Sequence, residues 1–105
     1  TTSYRMDAYA PRLLDIGLAA MIGKGDRSLE VVDAIRRNGA VYFAAVGGAG
    51  ALIAKSITKV ETIAYQDLGA EAVTKLTVKD FPAIVAIDSQ GNDLYKMTNE
   101  PRANL

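Results

Sequence analysis

The spacing of hydrophobic residues predicts a helix and then a strand at the start of the chain. Met6, Tyr9 and Leu13 recur at helical spacing after the hydroxyl residues 1–3, which are acceptable N-caps. We therefore predict a first helix that is kinked or restarted at Pro11 and ends near Gly17. The following stretch, LAAMIG at 18–23, is apolar between glycines and predicts a buried strand.

A strand-and-helix pattern continues to residue 58. The loop KGDRS leads into the helical stretch LEVVDAIRRNG at 29–39, for which Asp26 or Ser28 is the cap and Gly39 the end. AVYFAAV at 40–46 predicts a second apolar strand, and the glycines of GGAG then open a short helix in ALIAKSI. Apolar strands that alternate with helices predict a sheet that is parallel in part and covered by helices.

The last third of the chain reads mostly as strands. Three strand-like runs are KVETIAY at 59–65, AVTKLTV at 72–78 and AIVAIDS at 83–89. The last run is followed by QGND, a hairpin turn, and by the strand-like LYKM, whereas the tail from Thr98 has no regular pattern. We therefore predict one α/β domain over 1–105, with a mixed sheet and flanking helices.

Composition excludes several classes of function. The 105 residues include 12 basic and 12 acidic side chains, so there is no electrostatic case for a nucleic acid or an anionic membrane as partner. The absence of cysteine and histidine removes disulfides, thiol nucleophiles and the usual general base. No apolar run reaches the roughly 18 residues of a membrane span, and a signal-peptide pattern is absent, so we expect a cytoplasmic location.

The first five residues, TTSYR, combine groups that can bind a small anion. Free amides at a helix N-terminus attract anions, and Arg5 can hold a carboxylate through two parallel hydrogen bonds. An ordinary hydroxyl cap beside a solvated arginine is the commoner explanation of such a stretch. A further alternative is that Thr1 acts as an N-terminal nucleophile, activated by its own amine.

Two glycine-containing loops are further candidates. Lys24 in GKGDR follows the first strand, at the end where open α/β sheets bind ligands, and can hold a second carboxylate, although a surface lysine in a turn is commoner. GGAGALIAKS at 47–56 lacks the glycine that a phosphate loop has before its lysine, so we exclude ATP or GTP binding. The amides of Gly47 and Gly48 either face an anion or merely let helix and strand pack closely.

Five blocks of sequence together carry a family resemblance. They are TTSYRMDAYAPRLL, GKGDRS, AVYFAAVGGAGALIAKSI, KVETIAYQDLGAEAV and DFPAIVAIDSQGNDLY. In this order they cover almost the whole chain and resemble the C-terminal part, or β-subunit, of class I fumarate hydratases; the β-subunits of L-tartrate dehydratases are similar. The resemblance implies a swivelling β/β/α-type domain, and it implies that TTSYR lies in the middle of a longer polypeptide whose upstream part is missing here.

The resemblance also implies roles for three residues and a cofactor. The family carries a four-iron four-sulfur cluster on cysteines of the other domain, so a cysteine-bearing α-subunit or N-terminal domain is implied as the partner that binds it, and not this chain. Thr1 matches the group that takes the proton from the carbon next to a carboxylate, and Arg5 and Lys24 match the residues that hold the substrate carboxylates. The spacing from Arg5 to Lys24 is one residue shorter than in the family.

These implications predict a hydro-lyase that interconverts fumarate and L-malate and is active only with its partner. Two alternatives stay open: the same chemistry on L-tartrate, and a non-catalytic module that binds dicarboxylates or serves assembly. The apolar runs VYFAAV and AIVAID are expected to leave exposed surface, so that the chain forms an oligomer or requires its partner.

Overall fold

A computed structural model describes residues 3–45 and 50–99 of the chain. The chain divides into two compact units, one comprising 1–45 and 83–105 and the other 46–82. Each unit has its own small sheet, and helices accompany both, so the α/β class is confirmed. The prediction that 1–105 form one domain stays a prediction.

The regular elements follow the predicted order as far as residue 87. The helices are α1 (Ala10–Asp15), α2 (Leu29–Asn38), α3 (Gly50–Ser56) and α4 (Leu94–Asn99), and the strands are β1 (Ala20–Gly23), β2 (Val41–Ala45), β3 (Ile57–Ala64), β4 (Val73–Val78) and β5 (Ala83–Ile87). Short 3₁₀ turns occupy Ser3–Met6 and Gln66–Glu71. No described helix is long and apolar enough to cross a bilayer.

The first predicted helix is divided, as expected, near Pro11. A 3₁₀ turn covers Ser3–Met6, and α1 begins at Ala10 with Pro11 in its first turn, where the missing N–H of proline leaves no hydrogen bond unmade. Gly17 has a φ of 121°, which favours glycine, and the chain leaves the helix there. The predicted break and end of this segment are therefore confirmed. Of its predicted caps, residues 1 and 2 lie outside the described residues, and Ser3 begins a 3₁₀ turn in which its Oγ contacts Lys24 and Tyr42.

Helix α2 supplies the main apolar face of the first unit. Val31, Ala34 and Ile35 lie at helical spacing and are completely buried. Ser28 is the cap, because its Oγ accepts a hydrogen bond of 3.3 Å from the Val31 N–H. The Asp26 carboxylate instead accepts from the neighbouring Arg27 N–H at 2.8 Å, which decides between the two predicted caps.

The sheet of the first unit is mixed, with β2 in the centre. Its order is β1-β2-β5; β1 runs parallel to β2, and β5 runs antiparallel to it. Tyr42 and Ala44 point into the core from β2, where Leu14, Ile35 and Ile87 are also buried. The parallel portion that the strand-and-helix pattern predicted is thus the β1–β2 pair.

Two sequence predictions about this unit are wrong. The strand at 18–23 is not buried: among the described strands β1 pairs with β2 alone, and Ile22 is 57% exposed. LYKM is not a strand but lies in α4, because the Asp93 carboxylate accepts a 3.0 Å hydrogen bond from the Tyr95 N–H, a side-chain contact that favours a helix start. The predicted turn is present, but strand pairing beyond it is limited to one bridge between Ile87 and Asp93.

The second unit is built on the antiparallel pair β3–β4, with α3 before it. Residues at both strands are largely exposed, including Val60, Ile63 and Leu76. In the first unit, Ile84 and Val85 of AIVAID are also about half exposed, whereas Tyr42 of VYFAAV is buried. The expected exposed apolar surface is therefore found on AIVAID and on the second unit more than on VYFAAV.

Candidate functional site

The candidate site of the first unit lies where the 3₁₀ turn Ser3–Met6 meets the loop after β1. The Ser3 N–H donates to the Lys24 carbonyl at 2.9 Å, and the Lys24 N–H donates to Ser3 Oγ at 3.0 Å. Two segments that are distant in sequence are thereby joined by reciprocal hydrogen bonds. This contact places the turn that carries Arg5 next to Lys24. A site that uses both cations requires their segments to be close together.

Gly23 makes this close approach possible. A Cβ at position 23 would overlap Ser3 Oγ, well inside van der Waals contact. The backbone of Gly23 has no positive φ, so the glycine is required for space and not for conformation. The end of β1 is thus shaped to receive the Ser3 side chain.

Tyr42 reaches the same point from the central strand. Its hydroxyl oxygen lies 2.9 Å from Ser3 Oγ and 2.9 Å from the Gly25 carbonyl oxygen, and the residue is completely buried. Burial raises the pKa of this phenol, so the hydroxyl keeps its proton at neutral pH. Sequence reasoning missed Tyr42, because an aromatic residue in an apolar strand normally signals only core packing.

Arg27 is buried, and its side chain has described partners in the first unit. Its Nε donates to Asp7 Oδ1 at 2.7 Å, and its guanidinium lies 4.7 Å from the centre of the Tyr42 ring. The other oxygen of Asp7 accepts from the Ser28 N–H. Arg27 therefore has a structural role and is not free to bind a substrate carboxylate.

Arg5 and Lys24 differ from Arg27 in both exposure and pairing. Both residues are exposed, and within the described ranges neither side chain forms an ion pair. Arginine can grip a carboxylate with two donors, and lysine presents a compact positive charge. Each of the two side chains is therefore available to an external anion.

The first unit also contains an open depression of about 400 Å³. Arg5 and Lys24 do not line it, although each is next in sequence to a residue that does. Asp7 and Asp26 contribute carboxylates to it, which oppose an anionic ligand. The lining residues are Tyr4, Asp7, Gly25, Asp26, Arg27 and Ser28.

Helix α4 also contacts the loop that holds Lys24. The Gly25 N–H donates to the Tyr95 hydroxyl at 3.2 Å. Sequence reasoning missed this contact because it assigned Tyr95 to a strand. The four backbone polar groups of Lys24 and Gly25 thus all have partners, provided by Ser3, Tyr42 and Tyr95.

Three of the five predicted site residues lie outside the described residues. They are Thr1, the predicted base, and Gly47 and Gly48, the glycine turn. Their predicted roles stay predictions. Only Arg5 and Lys24 have described positions, and the backbone contact through Ser3 brings their segments together.

The donor groups of this chain do not fit an iron-sulfur cluster. Such clusters are held by thiolates, and the sequence contains no cysteine. Among residues 3–45 and 50–99, no group of three or more acidic or other metal-binding side chains is positioned to hold a metal ion either. No chemical step on a cluster can therefore be derived from these residues.

Comparison with known proteins gives relatives of two kinds. The chain is 42% identical over 100 residues to "Fumarate hydratase 2" of Leishmania major, covering 93% of this chain and 18% of that protein. It is 41% identical over 107 residues to the anaerobic class I fumarate hydratase of Escherichia coli, covering 99% and 20% respectively. It is 39% identical over 104 residues to a putative L(+)-tartrate dehydratase subunit beta of Methanocaldococcus jannaschii, covering 95% and 53%.

The chain thus spans about a fifth of the length of these fumarate hydratases and about half of the dehydratase subunit. The family model described as Fumarase C-terminus matches residues 1–98. This match covers the five sequence blocks in which the resemblance was found, and it confirms that resemblance. The chain therefore belongs to the Fumarase C-terminus family.

Proposed function

We propose that this chain is the C-terminal, or β-subunit, part of a hydro-lyase that interconverts fumarate and L-malate. The observation that carries the proposal is the pair of exposed cations, Arg5 and Lys24, whose segments are joined by reciprocal hydrogen bonds through Ser3. Similarity to proteins named fumarate hydratases supports the choice of substrate. The similarity to a tartrate dehydratase subunit makes L-tartrate the second candidate.

In the proposed reaction, Arg5 and Lys24 each bind one carboxylate of the substrate. In the direction of dehydration, the carbon next to a carboxylate loses a proton, and negative charge spreads onto that carboxylate. Cations already in place stabilise this developing charge more than they stabilise the ground state, because they require no reorganisation. Arg5 and Lys24 therefore both orient the substrate and lower the barrier to proton removal.

Thr1 is the proposed acceptor of that proton, on the basis of its position in the family motif. A threonine hydroxyl is a weak base, because its pKa lies far above neutral pH, and general bases work best near the operating pH. Nearby positive charge favours the deprotonated form. The two cations that bind the substrate would thus also assist Thr1.

A cysteine-bearing α-subunit or N-terminal domain is the proposed partner, and it would hold the four-iron four-sulfur cluster. Bound there, the cluster would supply the Lewis acid that such hydro-lyases use on the substrate hydroxyl. No residue of this chain is assigned to that part of the reaction. The cytoplasmic location expected from the sequence stays a prediction.

The test is made on the full-length subunit, mixed anaerobically with its cysteine-bearing partner and reconstituted with iron and sulfide. Hydration of fumarate and dehydration of L-tartrate are measured side by side. Because a charged hydrogen bond contributes about 1.5–3 kcal/mol, Arg5→Ala and Lys24→Ala should each lower kcat/KM by a factor of about 10–150. Thr1→Ala should lower kcat by a factor of about 10²–10⁴.

Arg12→Ala is the matched control, because Arg12 is exposed on α1 and has no ion pair among the described residues. It should leave both rates unchanged. Turnover of L-tartrate but not of fumarate would show that L-tartrate is the substrate. Binding of fumarate without turnover of either compound, in a complex that assembles, would favour the non-catalytic module instead.

A further inference from the structure

The two proposed carboxylate-binding side chains belong to separate segments, so something must fix the distance between them. Arg5 lies on the 3₁₀ turn Ser3–Met6, and Lys24 lies on the loop after β1. We propose that Tyr42 is a positioning residue that holds both segments against the sheet through Ser3 and Gly25, and so favours dicarboxylates over monocarboxylates. The inference rests on the proposed function and extends it to a specificity-determining residue.

Tyr42 is suited to this task because it is held rigidly. It lies on the central strand β2, paired with Met21 of β1 on one side and with Ile87 of β5 on the other. The residue is completely buried, and the Arg27 guanidinium lies over its ring. Its hydroxyl is therefore a fixed point against which the two segments can be placed.

The number of hydroxyl protons on Tyr42 and Ser3 decides which group donates in each hydrogen bond. The Gly25 carbonyl can only accept, so the single proton of the Tyr42 hydroxyl goes to Gly25 O. The Ser3 hydroxyl then donates its own proton to the Tyr42 oxygen, 2.9 Å away. Ser3 Oγ still accepts from the Lys24 N–H. Both hydroxyl protons and the Gly25 carbonyl therefore have a partner.

The same bonds leave the Lys24–Gly25 segment little freedom. Its remaining backbone groups are taken by the Ser3 N–H and by the Tyr95 hydroxyl. Without the Tyr42 hydroxyl, the Gly25 carbonyl and the Ser3 hydroxyl would both lose a partner. The direct Ser3–Lys24 bonds would remain, but neither segment would be tied to the sheet through Tyr42. The spacing of Arg5 and Lys24 would then be less closely fixed, while the core beneath them stays packed.

A change in spacing affects ligands with two carboxylates more than ligands with one. A dicarboxylate must reach both cations at once, and a small misplacement of either one weakens the combined interaction. A monocarboxylate uses only one cation and can follow it. Loss of the Tyr42 hydroxyl should therefore change selectivity, whereas a general loss of stability would weaken both kinds of ligand alike.

The experiment compares competitive inhibition by succinate and by butyrate in the full-length, reconstituted complex. Because a net hydrogen bond contributes about 0.5–1.5 kcal/mol, Tyr42→Phe should weaken succinate inhibition by about 2- to 10-fold. Butyrate inhibition should be unchanged. Tyr9→Phe is the matched control, because Tyr9 is 64% exposed, and it should alter neither constant.

Ser3→Ala provides a second variant that leaves the buried core intact, and it should reproduce the effect of Tyr42→Phe. Because both changes break one chain of hydrogen bonds, the double variant should be no worse than the more affected single variant. Additive losses, equal weakening of succinate and butyrate, or no change in succinate inhibition would each overturn the inference.

Arg5→Ala and Lys24→Ala in the same assay separate the two proposals. If both weaken succinate inhibition and Tyr42→Phe does not, only the positioning role is wrong. If neither weakens it, the proposed carboxylate site itself is wrong, and the positioning role falls with it.

Discussion

At the scale of single residues, the buried charge of Arg27 is the most demanding feature of the first unit. The Arg27 side chain is 2% exposed and its partner Asp7 is 12% exposed. A buried cation is tolerated only when an opposite charge is paired with it. Asp7 meets that requirement and also accepts from the Ser28 N–H, so one carboxylate serves both the loop and the start of α2.

Replacing Asp7 by asparagine should therefore destabilise the chain strongly. The amide keeps an acceptor for Ser28 but removes the charge that compensates Arg27, and breaking a buried pair from one side costs about 3–5 kcal/mol. Urea unfolding measures the change. Asp33→Asn is the control, because its pairs with Arg36 and Arg37 are both exposed and should each contribute about 0–1 kcal/mol. Equal losses in the two variants would contradict the structural role of the buried pair.

Asp93 is a buried carboxyl group, and none of the described cations forms an ion pair with it. It is 5% exposed, and its Oδ2 has no hydrogen-bond partner among the described residues. Burial raises the pKa of Asp93, and the charge of Asp26 raises it further, while the Tyr95 N–H and the Lys96 charge act in the opposite direction. The folded chain therefore favours the protonated form of this group more than the unfolded chain does.

The pH dependence follows from that difference. Between the ordinary pKa of 3.8 and the raised value, the folded chain holds more protons than the unfolded chain, so the free energy of unfolding falls as pH rises. Asp93→Asn cannot titrate and should lack this decline. Urea unfolding at pH 4 and at pH 7 gives the slope of the unfolding free energy against pH for each protein. Comparing the two slopes separates the effect of titration from any constant cost of the amide. The same slope in both proteins would show that Asp93 does not contribute.

At the scale of elements, α2 shows how local chemistry fixes a helix. Ser28 satisfies the Val31 N–H at the start. At the end, Gly39 has a φ of 64°, and the N–H groups of Gly39 and Ala40 return to the carbonyls of Arg36 and Ile35. Both ends are encoded within a few residues of the helix.

Ser28→Ala should cost about 1 kcal/mol of unfolding free energy, since it leaves one N–H at the helix start without its partner. Ser89→Ala is the matched control: Ser89 lies in the turn after β5, and no described side-chain hydrogen bond involves it. Urea unfolding of both variants gives the comparison. If both lose the same amount, the Ser28 cap contributes nothing to stability.

Elements with local signals were predictable from the sequence, and elements decided by distant contacts were not. The cap and the closing glycine of α2 lie in the sequence beside the helix itself. α4 was mistaken for a strand because Leu94 and Tyr95 are compatible with either structure, and the Asp93 contact that starts the helix is visible only in the fold. The burial of β1 was overestimated because the sequence does not show which strand lies at an edge.

The residues of the candidate site also divide into those with a local signal in the sequence and those placed by distant contacts. The exposure of Arg5 and Lys24 could be predicted because a cation beside a turn or a glycine is a local pattern, whereas their binding of carboxylates stays a prediction. Tyr42, Arg27 and Tyr95 could not be predicted, since each contacts the loop from an element distant in sequence, and nothing in their neighbours distinguishes them from ordinary core or surface residues.

At the scale of the whole molecule, the β3–β4 sheet of the second unit has two unlike faces. Val60 pairs with Leu76, and Thr62 pairs with Thr74, so these uncharged side chains share one face. Glu61 pairs with Lys75 on the other face, and Lys59 pairs with Thr77 there. The uncharged face is exposed, and a two-stranded sheet is at best marginally stable alone.

We expect the uncharged face to associate with a second copy of the chain or with the proposed partner, because exposed apolar side chains such as Val60 and Leu76 are typical of interaction sites. If two copies associate through this face, Leu76→Glu should abolish self-association of the chain in sedimentation experiments, since association would bury an unpaired carboxylate. Thr77→Glu adds the same charge one residue away on the charged face, opposite Lys59, and should leave association unchanged. Association that survives both changes would place the contact at the strand edges, where backbone groups and not side chains pair.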